Sequence, residues 1–173
     1  MEWLMGQRLW SWLTVHFSFI RFMNHEPSTI LRPWPRDRWF YLALAAGPLA
    51  CAAGWFAGLG QSSSSERVLS LWFLKVSVLL PVCEEVFFRG IVQGRLAAAG
   101  WRRCSWIGIT QANAAASALF ALAHLVYHSP LHAVSVFFPS LVFGYFYDRH
   151  HHLLPPVLLH VAYNAAYFFL KNG

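Results

Sequence analysis

From Trp39 to Leu59 the chain runs through 21 residues without one charged side chain. At 1.5 Å per residue, a helix of that length covers the roughly 30 Å hydrocarbon core of a bilayer. The remaining sequence agrees: of 173 residues, 57% are hydrophobic and only 12% charged, against roughly 25% charged in soluble domains. So apolar a chain is not disordered, and its length allows one bundle of helices rather than two domains. Thirteen Lys and Arg against seven Asp and Glu would suggest nucleic acid in a soluble protein. Here the basic residues fall mostly between apolar runs, so they read as topology signals and no nucleic-acid partner is expected.

Four more apolar stretches follow, from Val68 to Ile91, Trp106 to Tyr127, Leu131 to Tyr147 and Leu153 to Leu170. Together they predict an all-α, polytopic transmembrane helix bundle of about five spans over residues 38–173, with Pro48 as a candidate kink in the first. Residues 1–37 form a separate region. Trp3, Trp10, Trp12, Phe17 and Phe19 interleave with Arg8, His16 and Arg21, a pattern for an amphipathic helix lying in the interface. A linker with Pro27, Pro33 and Pro35 comes next. The order of a secretory signal, charge first and then an unbroken apolar core, is absent. Counting loop Lys and Arg over five spans gives nine on the N-terminal side against two, Arg67 and Lys171. The expected orientation is an N-terminus in the cytoplasm, in a cell membrane of the bacterial inner-membrane type. Cys51, Cys83 and Cys104 form no CxxC pair and suggest neither a disulfide nor a zinc framework.

Two of the seven acidic residues lie well inside an apolar stretch, and they are adjacent: Glu84 and Glu85 in Pro81-Val82-Cys83-Glu84-Glu85-Val86-Phe87-Phe88-Arg89-Gly90. A charge at membrane depth costs several kcal/mol unless it is paired or faces a watery cavity. Glu85 and Arg89, four apart, can pair on one helical face, whereas Glu84 points about 100° away and could face a cavity. The plain alternative is a buried ion pair that only locks the bundle. Cys83 reads as a packing thiol.

A second candidate is Phe120-x3-His124, preceded by small residues that allow close helix approach. Alone, His124 would read as a hydrogen-bonded bundle histidine. His128 and His132 continue its spacing beyond the point where Pro130 interrupts the helix, and read as interfacial. A third is His160-x3-Asn164, whose imidazole and amide share one face. They form either an oxyanion site or a plain interhelical hydrogen bond. His150, His151 and His152 read as a solvated or headgroup-facing loop.

Three polar investments in one apolar bundle imply a common interior site. In order and spacing, Glu84-Glu85-x3-Arg89, Phe120-x3-His124 and His160-x3-Asn164, with the Phe88-Arg89-Gly90 ending of the first, resemble the CAAX protease and bacteriocin-processing family of intramembrane endopeptidases over residues 70 to 170. The resemblance implies hydrolysis of a peptide bond in a membrane-anchored protein or peptide substrate by a glutamate-activated water. Glu84 would be the general base, and His124 would position or deprotonate the water. His160 and Asn164 would stabilise the oxyanion, while Glu85, Arg89, Phe88 and Phe120 support the site. No cofactor is expected. A zinc-dependent version would use Glu84, His124 and His160 as ligands, but no H-E-x-x-H helix is present and Glu85 would have to serve as base while paired to Arg89. A small transporter or proton pathway would also bury Glu, His and Arg, though such folds carry internal repeats that this chain lacks.

The five-span drawing contains one conflict. Glu84 lies about seven residues from the cytoplasmic end of its helix, while His124 lies near the opposite end of span three, roughly 15 Å away. A common site requires either a later start to span three or a segment after His124 that continues into the bilayer before turning.

Overall fold

The computed structural model describes residues 34–59, 70–102 and 107–172. The expected N-terminal interfacial helix, the whole polar loop around Ser62–Ser65, and Cys104 lie outside these residues. Within them the chain forms helices and turns, with no β-strand.

After a 3-10 turn at Trp34–Arg36, α1 runs over Arg38–Gly54 and continues as a π-helical turn, Trp55–Leu59. The second rod, α2, is continuous over 71–98 but changes its winding: Leu71–Leu74, Leu80–Glu85 and Gly94–Ala98 are α-helical, whereas Lys75–Leu79 and Val86–Gln93 are π-helical. Then come α3, Gln111–His124; α4, Pro130–His150; and α5, Leu154–Asn172. Side-chain oxygens cap the entries of α1 to α4: Asp37 accepts from the Trp39 N–H, Ser70 from Phe73, Thr110 from Asn113 and Ser129 from His132. Each supplies a partner to a backbone donor that the first helical turn leaves unpaired. Pro130 occupies the first turn of α4, where its missing N–H costs nothing.

The third segment differs from its expectation. A helix over the whole stretch from Trp106 to Tyr127 would cross the membrane, but α3 has 14 residues, about 21 Å of rise. It starts at the Thr110 cap, after Gly108 at φ +79°, and stops at His124. Asn113, in its first turn, is fully buried. Meanwhile α2 extends to Ala98, beyond the expected Ile91. Glu84 is therefore 14 residues from its end of α2, and His124 is 13 from the start of α3. The two now lie at matched depth, and the conflict disappears. By length and composition, α1 and α4 are long and apolar enough to cross a membrane, with α5 a shorter apolar helix.

The bundle packs α1 against α5, α3 against α4 and the second π-helical segment of α2, and α5 against both α4 and the earlier part of α2. Phe40, Phe143, Phe146 and Leu159 form its apolar core. Polarity is otherwise inverted relative to a soluble protein. Ser77, Glu85, Arg89, Gln93, Asn113, Ser117 and Ser140 are completely buried, while Phe56, Leu71 and Leu131 are more than 80% exposed. In α2 the buried residues Ser77, Pro81, Glu85, Arg89 and Gln93 fall every fourth position. A uniform α-helix would rotate such a stripe by about 40° per step. The i→i+5 turns take more residues per revolution and counter that drift, keeping the polar stripe on one face. Gly144 lets α4 approach this face, because a Cβ there would collide with the side chains of Asn113 and Gln93. Cys83, expected to pack inside, is instead exposed.

One end of the bundle is closed by Asp37. Its Oδ1 accepts from the Trp39 N–H, and its Oδ2 accepts from Arg149 Nε and lies 3.1 Å from His150 Nε2. Burial alone would raise this carboxyl, but the hydrogen bonds from Arg149 and Trp39 and the neighbouring positive charge outweigh it and hold it below its ordinary 3.8. A carboxyl depressed by folding stabilises the folded state above its unfolded pKa, and that stabilisation is lost as the pH falls through the folded value. The melting midpoint of the wild type in detergent should therefore exceed that of Asp37→Asn above about pH 5, with the difference shrinking below about pH 4. A difference that grows on acidification would contradict this account.

Candidate active site

The two adjacent glutamates take different environments. The Glu85 side chain is fully buried, whereas that of Glu84 is 31% exposed. Glu85 Oε2 lies 3.2 Å from Arg89 Nε, the expected one-turn pair, and Arg89 is itself fully buried. The other Glu85 oxygen, Oε1, accepts from His160 Nδ1 at 2.8 Å. His160 Nε2 in turn lies 3.6 Å from Glu84 Oε2. The imidazole thus stands between two carboxylates, with its orientation fixed by the buried one.

The elements explain why these groups meet. The α2 segment Leu80–Glu85 carries both glutamates between its two π-helical stretches. On α5, His160 is buried one turn past Pro155 and Pro156. Phe143 of α4 stacks on its ring, with centroids 4.9 Å apart and planes 24° apart, and Phe120 of α3 meets it edge-on at 5.7 Å. Phe120 is the hub of the aromatic wall. It contacts Phe88 at 5.1 Å and His124 at 4.5 Å, and the Arg89 guanidinium lies 5.6 Å from its centroid.

His124 Nδ1 is 2.9 Å from the Phe120 carbonyl oxygen. A carbonyl only accepts, so this nitrogen carries the proton and, in the neutral ring, Nε2 presents a lone pair. His124 and His160 both act electrostatically on Glu84. The Asn164 amide donates to the Val76 carbonyl at 3.2 Å, tying α5 to the first π-helical turn of α2, and keeps a second N–H. His128 and His132 extend from His124 as a run of imidazoles, with centroids 5.7 Å and then 4.5 Å apart.

The structure adds residues that the sequence reading passed over. Arg89 Nη2 donates to both the carbonyl and the hydroxyl of Ser140. Gln93 donates to the Gly144 carbonyl, and Asn113 to that of Leu141. Gln93 was detectable as the next member of the series Glu85-x3-Arg89-x3-Gln93. A lone serine such as Ser140 in an apolar helix carries no comparable signal.

The family model for Rce1-like type II CAAX prenyl endopeptidases matches residues 66–166, a segment that contains all three motifs. The chain belongs to the Rce1-like family. The resemblance read from the motifs is thereby established at the level of the family, and with it a hydrolase of the CAAX protease class and a membrane protein built from apolar helices. Comparisons with curated proteins and with solved structures return no match. In this Rce1-like chain each ring nitrogen of His160 addresses a carboxylate, and among the described residues no three His, Cys, Asp or Glu side chains are grouped so as to hold an ion.

Proposed function

We propose that the protein is a multi-pass intramembrane endopeptidase, its N-terminus in the cytoplasm, that uses Glu84 to activate water against a peptide bond of a membrane-anchored, prenylated substrate. The observation that carries this reading is the division of labour between the glutamates. Glu85 is consumed by Arg89 and His160, which leaves the partly exposed Glu84 as the one carboxylate of the pair that a water can reach. Water bound between Glu84 and the His124 lone pair would lose a proton to Glu84 as it attacks the carbonyl, and the protonated Glu84 would pass that proton to the departing amine.

His160 serves the oxyanion. Its Nδ1–H is fixed on Glu85, so when Nε2 also carries a proton that N–H donates to the carbonyl oxygen on which the negative charge develops, beside the remaining N–H of Asn164. In that state Glu84, Glu85, Arg89 and His160 sum to zero charge, which suits a site removed from water. Phe88 and Phe120 wall the site. No metal takes part.

The test uses the full chain in proteoliposomes with an internally quenched, farnesylated peptide ending in a CAAX sequence. The wild type should cleave it in the presence of chelator, and His124→Ala should reduce turnover by about 10²- to 10⁴-fold. Loss of activity on chelation would overturn the metal-free mechanism. Cleavage undiminished in His124→Ala would remove His124 from it.

A further inference from the structure

Arg89 is held by a narrow set of contacts. Both hydrogen bonds of its guanidinium go through Nη2 to Ser140, 3.0 Å to the carbonyl oxygen and 2.8 Å to Oγ, and Nη1 is buried with no hydrogen-bond partner. Its other attractions are the 3.2 Å ion pair from Nε to Glu85 and the Phe120 ring, 5.6 Å from the guanidinium. Glu85 then accepts from His160 Nδ1, so an unbroken polar chain runs from Ser140 on α4 through α2 to His160 on α5. Phe143, three residues after Ser140, stacks on the same imidazole.

Arg89 also has a choice of partner. Glu85 precedes it by four residues and Glu84 by five. In an α-helix the four-residue partner is strongly favoured. Arg89 lies in the π-helical stretch Val86–Gln93, where i→i+5 winding brings the five-residue partner toward the same face. A guanidinium that drifted to Glu84 would neutralise the carboxylate that must accept the proton of water.

We infer that Ser140 is a positioning residue for the reaction, holding Arg89 on Glu85 and away from Glu84 and thereby fixing the imidazole of His160. The inference rests on the catalytic reading of Glu84 and His160 given above. The charged and titratable groups around His160 are Glu84, Glu85 and Arg89 from α2 and, beyond Phe120, His124 from α3; Phe143 supplies the face from α4.

The experiment compares wild type with Ser140→Ala, in the full chain in lipid nanodiscs, by two readouts. With the farnesylated peptide, kcat should fall about tenfold, and KM should stay within about twofold, because the lost contact bears on the reacting groups rather than on substrate binding. In ¹⁵N-histidine-labelled protein, the His160 Nδ1–H resonance, assigned by its loss in His160→Gln, should move and exchange faster with solvent in Ser140→Ala. The same substitution should not affect it in a Glu85→Gln background, where the chain is already cut. Ser140→Cys, which keeps the volume and a weak hydrogen-bonding group, should fall between the two and serves if the alanine variant does not fold. An unchanged kcat and an unchanged resonance in Ser140→Ala would overturn the inference, as would an equal change in both backgrounds. If the wild type leaves the peptide intact while the resonance behaves as expected, the peptidase reading fails and the positioning role stands.

Discussion

Glu84→Gln should reduce cleavage of a farnesylated peptide in proteoliposomes by about 10³-fold, within the range that general acid–base groups contribute, while the protein remains folded in the membrane. The amide is close in size to the carboxylate and can still face His160, so the aromatic wall and the Glu85–His160 bond are preserved. It cannot take a proton from water. Because the Glu84 side chain is partly exposed and Arg89 is engaged by Glu85 and Ser140, little of the bundle's stability depends on its charge. Melting in detergent should therefore shift little, and the His160 Nδ1–H resonance should persist. Turnover that survives in Glu84→Gln would transfer the base to another group. A variant that fails to fold would show Glu84 to be structural.

Arg89→Met should have the opposite signature, a severe loss of stability of about 3–5 kcal/mol, as found when one partner of a buried ion pair is removed. The substitution keeps a flexible apolar stem but strands the Glu85 carboxylate and leaves the Ser140 hydroxyl unpaired, all at zero exposure. The double variant Glu85→Gln/Arg89→Met removes the stranded charge and should recover much of the lost stability. Activity should not return with it, because a neutral glutamine at position 85 accepts more weakly from His160 than a carboxylate does. Reversible melting and turnover measured on the same preparations separate the two effects. If the double variant regained both, the pair would be a lock on the fold and no part of the chemistry.

Much of this was legible in the sequence because a charge inside an apolar run is costly enough to demand a reason. That alone isolated Glu84, Glu85 and Arg89, and the four-residue repeats placed Phe120 with His124 and His160 with Asn164. The boundaries were less legible. Between Trp106 and Tyr127 no charged residue interrupts the apolar run, so composition could not show that the helix waits for the Thr110 cap and ends at His124. That difference of a few residues decided whether His124 and Glu84 shared a depth. The π-helical turns of α2 leave no mark in composition, and the same is true of Ser140, whose meaning comes from a partner 51 residues earlier in the chain. Cys83 was misplaced for a simpler reason: two residues before the buried Glu85, it lies about 200° around the helix from the polar stripe, on the outward face.

The polar stripe of α2 also bears on how the molecule is made. Each charged residue at mid-helix disfavours spontaneous entry into the bilayer by about 2.5–3.5 kcal/mol, and α2 carries Glu84, Glu85 and Arg89 together. In α1 the only charged residue is Arg38, at its first position, so no such barrier lies within it. The groups that compensate α2, Ser140 on α4 and His160 on α5, are synthesised 51 and 75 residues after Arg89 and Glu85 respectively. The polar stripe of α2 is thus completed only once α4 and α5 have been made.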